Sequence, residues 1–117
     1  MALTISTSNS NGAVVVHCTG EIDVSTASQL RDAVQQVILG GSRSVAIDMT
    51  GVSFMDSTGL GVVVGRLKTL RREGGTLTIA ATAERVRRVF EITGLDKVFV
   101  LYRDPADAAR AAAETTG

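Results

Sequence analysis

The 117-residue chain has one cysteine, one proline, one histidine and no tryptophan, and aromatic residues make up only 3% of it. Each shortage excludes a kind of chemistry. A lone Cys18 cannot form an intramolecular disulfide, which fits a reducing cytoplasm, and one Cys with one His cannot assemble a metal site of familiar ligand spacing. Set in an apolar run, Cys18 reads as a small buried hydrophobe. So few rings leave no platform on which single-stranded nucleic acid could stack. Neither charge dominates: twelve Lys and Arg balance twelve Asp and Glu, so nothing draws the chain to nucleic acid or an anionic membrane. The basic clusters Arg71-Arg72 and Arg85 with Arg87-Arg88 have acidic neighbours and read as solvated helix faces. No apolar run is long enough for a transmembrane helix, and the start, M-A-L-T-I-S-T-S-N-S-N-G, has neither the basic nor the apolar region of a secretory signal.

What is present is a regular alternation of strand and helix patterns. Leu3 to Thr7 alternates apolar and polar residues, then Asn11-Gly12 signals a hairpin, then Ala13 to Cys18 is a Val-rich run consistent with a strand buried on both faces. The first two strands are expected to be antiparallel. Thr26 and Gln29 fit a capping box, and Ala27, Leu30, Ala33, Val34, Val37 and Ile38 recur at helical spacing until Gly40-Gly41. Ser44 to Met49 reads as a strand. Leu60, Val63, Val64, Leu67 and Leu70 form one face of a second helix ending at Gly74-Gly75. A strand over Thr76–Ala81 comes next, then a helix over Glu84–Thr93 with Val86, Val89, Phe90 and Thr93 inward, and a short strand over Val98–Leu101. Pro105 opens a terminal helix over Ala106–Glu114. The order β-β-α-β-α-β-α-β-α predicts a single α/β domain over residues 1–117, with parallel strands joined by crossovers and function at their carboxyl ends.

Enzymatic readings fare poorly. Gly59, Gly61 and Gly65 miss the dinucleotide fingerprint because Val64 holds its third position, and no G-x-x-x-x-G-K-[ST] loop exists. Glycines 61 and 65 are better explained by close approach of the helix to the sheet or to a partner. Ser57 lacks the G-x-S-x-G elbow, and His17, in a buried-looking strand, reads as a core or sheet-edge residue. Asp48 and Asp56, eight residues apart, do not by themselves make an acid/base pair. No catalytic residue, cofactor or metal ligand is expected.

The junction F-M-D-S-T-G-L-G, from Phe54 to Gly61, is the informative stretch. An Asp or Ser before an apolar helical run is a preferred N-cap, worth about 1 kcal/mol. One cap serves one helix, yet Asp56, Ser57 and Thr58 supply three polar side chains. They fall at the carboxyl end of a strand, on the rim expected to hold the Gly20–Ser25 loop as well. A hydroxyl there is presented as a modifying enzyme would need it.

These residues resemble the bacterial anti-sigma-factor antagonists, the single-domain form of the STAS fold. The resemblance runs from Leu3 to Asp104. It rests on Gly20-Glu21-Ile22-Asp23, on D-M-T-G-V-S-F-M-D-S-T-G-L-G-V-V-V-G-R-L from Asp48 to Leu67, and on F-E-I-T-G-L-D-K-V-F from Phe90 to Phe99. It implies a (βα) superhelix with a mixed sheet of five strands, an N-terminal antiparallel hairpin and four helices. It also implies a non-enzymatic regulator that binds a serine-kinase anti-sigma factor when unphosphorylated and so frees the sigma factor. The partner binds the ATP, phosphorylates Ser57 and thereby ends binding, and a phosphatase reverses the mark. Asp23, Asp56 and Thr58 would adjoin the phosphosite, and Glu21, Asp23, Ser25, Ser57, Thr58, Gly59, Gly61 and Val62 would meet the partner. STAS domains also serve in stressosomes and transporter-associated modules, the alternative reading. Homodimerisation is left open.

Overall fold

The structure, a computed structural model, describes residues 2–115. Strands β1 (Leu3–Ser10) and β2 (Ala13–Ile22) form the expected antiparallel hairpin, with Ser10 opposite Ala13. The two-residue turn between them places Asn11 at φ 54° and Gly12 at φ 86°. Asn and Gly are the residues that reach this left-handed region at least cost, which is why the Asn-Gly pair was legible. Next along the chain come helix α1 (Ala27–Leu39), β3 (Ser44–Met55), α2 (Ser57–Arg72), β4 (Thr76–Ala80), α3 (Glu84–Ile92), β5 (Leu101–Tyr102) and α4 (Pro105–Thr115). The sheet order is β1-β2-β3-β4-β5, with every neighbour after the hairpin parallel.

This sequential order decides the layers. Successive parallel strands joined by crossovers of one hand must carry their helices on one face of the sheet. Leu30 and Val34 of α1, Val63 and Leu70 of α2, and Val86 and Phe90 of α3 accordingly share a core with Val16, Ile47 and Ile79. Phe90 stacks edge-on against Phe99, ring centres 5.8 Å apart, within it. Helix α4 covers the opposite face with small residues: Ala108, Ala109 and Ala112 lie on Ala13, Val15, Ala46 and Ala80. The Ala-rich helix and the doubly buried β2 are two halves of one fact, since alanine lets α4 approach closely. Cys18 is buried in the main core, where burial, with Asp48 nearby, pushes its thiol up to about 12 and leaves it inert.

Several boundaries differ from expectation. Strands β2 and β3 continue well past Cys18 and Met49, carrying polar residues such as Thr19 and Thr50 that strand pairing tolerates. The strand expected over 98–101 forms only at Leu101–Tyr102: a 3-10 turn at Leu95–Lys97 precedes it, residues 98–100 are irregular, and β5 is only two residues long. Thr93 is exposed rather than inward, because it ends α3 with its hydroxyl donating to the Val89 carbonyl at 2.7 Å.

Candidate functional site

Two connections meet at the carboxyl end of the sheet. The extension of β2 and β3 runs Glu21 opposite Phe54 and Ile22 opposite Met55, and the Asp56 N–H donates to the Ile22 carbonyl at 3.2 Å. The loop after β2 and the start of α2 therefore sit on adjacent strands. Just before it the register shifts between Gly20 and Glu21. Gly20 has φ 122°, and a side chain there would strike the Ala2 carbonyl. Such irregularities bend a strand end and re-aim the loop beyond it.

The polar residues of the junction separate into two kinds. Asp56 is the N-cap: its Oδ1 accepts from the Thr58 N–H at 2.9 Å and the Gly59 N–H at 3.3 Å. That satisfies donors a helix start leaves orphaned. Ser57 and Thr58 are the first two helical residues; both are exposed, and neither hydroxyl has a hydrogen-bond partner among the described residues. Gly59 is buried, and a Cβ there would lie 2.5 Å from Ile22 Cγ2 and 2.8 Å from Met55 Cγ. It seats the helix on the strands, where a side chain would not fit. Gly61 is exposed, with open space where its Cβ would be, and Gly65 has the same open space. Close approach to the sheet is thus not the reason for these two glycines. Val62 is half-buried against the core.

The neighbouring loop is organised by Asp23. Its Oδ1 accepts from the Ser25 hydroxyl at 2.6 Å and the Ser25 N–H at 2.9 Å, with the Thr26 hydroxyl 3.3 Å away. The Ser25 hydroxyl above all holds the Asp23 carboxyl below the usual carboxylate range, so it is ionised at neutral pH. The expected Thr26–Gln29 capping box is absent. Thr26 is buried, its hydroxyl donates to the Glu21 carbonyl at 2.8 Å and accepts from the Asp23 N–H at 2.9 Å, and it makes no side-chain cap. Its hydroxyl closes the loop and is not free for the helix. Glu21 is half-buried, Ser25 is exposed, and Val24 between Asp23 and Ser25 is 80% exposed. Sequence reasoning passed over Val24; the signal was a lone apolar residue in an otherwise polar loop.

A second polar line lies on the α4 face. His17 Nδ1 is 2.8 Å from Asp48 Oδ2 and His17 Nε2 is 2.8 Å from Ser8 Oγ. Asp48 Oδ1 accepts from the Thr50 hydroxyl at 2.7 Å and the Thr50 N–H at 2.9 Å. Against an ionised Asp48 the His17 Nδ1 donates, and its Nε2 pairs with the Ser8 hydroxyl. Burial by itself would raise the Asp48 carboxyl, but Thr50 and His17 outweigh it and hold it below its ordinary range. The atoms match the order of a hydrolytic triad, yet Ser8 lies within an edge strand and not at a strand-to-helix turn. His17 is a sheet residue tying three strands. Asp48 and Asp56 are separated by eight residues of strand, roughly 25 Å, and form no pair. Among the described residues no group of three His, Cys, Asp or Glu is placed to hold a metal, and no helix is long and apolar enough to cross a membrane.

The fold, a mixed five-stranded sheet with a serine exposed at the start of its second helix, defines the class. A family model described as STAS domain matches residues 4–108. The anti-sigma-B factor antagonist of Staphylococcus aureus (strain NCTC 8325 / PS 47) is 39% identical over 95 residues, 81% of this chain and 88% of that protein. The crystal structure of an anti-sigma factor antagonist from Mycobacterium paratuberculosis superposes with a TM-score of 0.87 at 32% identity, covering 95% of this chain and 94% of that one. The Bacillus cell fate determinant SpoIIAA in its phosphorylated form gives 0.69 at 25% identity, covering 94% and 99%. The chain belongs to the STAS domain family, among its anti-sigma-factor antagonists.

Proposed function

We propose that the chain is a cytoplasmic partner-switching regulator: unphosphorylated, it binds a serine-kinase anti-sigma factor and releases the sigma factor, and phosphorylation of Ser57 ends that binding. The observation that carries this reading is the Ser57 hydroxyl, exposed at the first position of α2 and left without a partner among the described residues while Asp56 does the capping. A serine kept there without a structural task is free to be a substrate. The kinase supplies the ATP. Ser57 Oγ bonds to the γ-phosphorus as the bond to the β,γ-bridging oxygen breaks, ADP leaves, and the hydroxyl proton passes to a base on the kinase. A phosphatase hydrolyses the ester to restore the serine. The protein itself catalyses nothing.

The partner's contact surface is the exposed part of the rim: Asp23, Val24 and Ser25 from the loop after β2, and Ser57, Thr58 and Gly61 from α2. Gly61 leaves a bare place on the helix against which another chain can pack. A phosphate adds about −1.5 to −2 charges. A helix N-terminus accepts an anion, so the fold persists. Docking does not, because the phosphate joins ionised Asp23 and the carboxylate of Asp56, and a partner closing over them would bury unpaired charge.

Copurification from the native cell with intact-mass analysis tests the reading. The expected result is capture of an ATP-binding serine kinase by the unmodified chain, then one phosphoryl group on Ser57 and loss of the complex when ATP is added; Ser57→Ala should remain bound. Capture of transporter or stressosome subunits in place of a kinase, or phosphate on Thr58 alone, would overturn it.

A further inference from the structure

Arg85 and Arg88 have a setting that their sequence neighbourhood does not reveal. They stand on α3 along a groove of about 290 Å³ lined by Phe54, Met55, Arg85, Arg88, Val89 and Ile92. Ile92 is 77% exposed, a large apolar side chain spent on water at the groove's edge. Arg87, between the two arginines, donates to the Ala81 carbonyl at 2.7 Å. Arg85 and Arg88 make no ion pair with any described residue. The groove adjoins the start of α2: Met55 lines it, and Ser57 follows two residues later, at most about 7 Å away between Cα atoms.

We propose that this groove is the second half of the docking surface, receiving from the anti-sigma factor a segment that places an apolar side chain against Phe54, Val89 and Ile92 and carboxylates against Arg85 and Arg88. The proposal rests on the reading of the chain as a kinase-binding antagonist. The apolar lining sets the centre of the occupant, and the two guanidinium groups set its flanks, since an arginine fork pairs with carboxylates bidentately. Phe, Met and Arg, all present in this lining, are also enriched at protein interfaces. Nearness to Ser57 selects the occupant, because a partner that covers Ser57 comes within reach of the groove two residues away. The arrangement separates two tasks: Ser57 and its acidic neighbours switch binding, while the basic groove supplies affinity that phosphorylation does not touch.

The test is calorimetric titration of the full chain with the kinase recovered by copurification, in ADP so that no phosphoryl group is transferred. Arg85→Glu with Arg88→Glu should weaken binding roughly 10- to 100-fold and flatten its salt dependence. Ile92→Ser should weaken it about tenfold, as loss of a desolvated apolar anchor does. Arg103→Glu, an exposed charge beyond β5, should change nothing. If the groove variants bind like wild type while Ser57→Glu does not bind, the groove proposal is overturned and the switch stands. If wild type binds no kinase, the underlying reading falls, and this proposal with it. If the double variant instead abolishes a homodimer without changing kinase affinity, the occupant is a second copy and the proposal is wrong. Should charge reversal impair folding, Arg85→Gln with Arg88→Gln and a photo-crosslinker at position 92 provide the same decision: a crosslink to an acidic kinase segment supports the groove, and none overturns it.

Discussion

Ser8 and Ser57 are both exposed serines with an aspartate in their surroundings, and they are put to opposite uses. Ser8 ends a closed line: its hydroxyl is bound to His17, His17 to Asp48, and Asp48 to Thr50. Each side chain in that line answers another, and the line fastens β1, β2 and β3 together. Ser57 has Asp56 beside it, but Asp56 is occupied with the backbone of its own helix, and the serine hydroxyl is left over. A motif of residue types does not tell the two apart. The hydrogen bonds do: where donors and acceptors are consumed the residue holds the fold, and where one remains it is available to a partner.

The comparison breaks most visibly if charge is placed at Ser57. Ser57→Glu should lower kinase affinity by tens- to thousands-fold, about 2–5 kcal/mol, while circular dichroism and melting temperature scarcely move. Tight binding by this variant would mean that Ser57 is not the switch.

Asp48 should show the reverse. Asp48→Ala leaves His17 and Thr50 without their acceptor and should cost about 1–3 kcal/mol of stability with kinase affinity unchanged. Its lowered pKa sets the pH dependence. The carboxylate's contribution is present above the unfolded value, about 4, and is lost as pH falls through the lower folded value. Urea titrations below pH 4 should therefore find wild type losing stability more steeply than Asp48→Asn; parallel curves would remove Asp48 from the acid response.

Asp56→Ala sharpens the division within the junction itself. It should cost about 1 kcal/mol as a lost cap and leave phosphoryl transfer to Ser57 measurable by intact mass. A folded variant whose serine is never modified would make Asp56 part of the recognition. The smallest effect is expected at Gly61. With open space at its Cβ, Gly61→Ala should stabilise the helix by roughly 0.5–1 kcal/mol in thermal melts while weakening kinase binding. Improved stability with unaltered binding would remove Gly61 from the interface.

Much of this was legible in the residue pattern, for local reasons. Asn11-Gly12 announced its hairpin because few residues reach positive φ cheaply. Apolar residues three and four apart announced α1 and α2 because one helix face must be buried. Asp56-Ser57-Thr58 announced two polar groups more than a cap needs. The failures were equally physical. Thr26 and Gln29 spelled a capping box, but the Thr26 hydroxyl found the Glu21 carbonyl and the Asp23 N–H, partners that only the folded loop brings near. Glycine 59 looked like its neighbour at 61, yet one is wedged against Ile22 and Met55 and the other faces open space. The basic run on α3 read as a solvated face because its apolar counterpart, Phe54, lies more than thirty residues away.

The sequence by itself determined the order of elements, the hairpin, the balanced charge and the serine at the start of the second helix. These come from periodicity, turn chemistry and composition, which act over a few residues. Tertiary structure alone decided that Asp56 and not Ser57 is the cap, that Asp23 shapes its loop through Ser25, that His17 is committed to Ser8 and Asp48, and that the end of β3 and one side of α3 form a basic apolar groove. Those depend on which atoms meet when distant strands are paired, and a hydrogen bond or a groove exists only once both of its sides are in place.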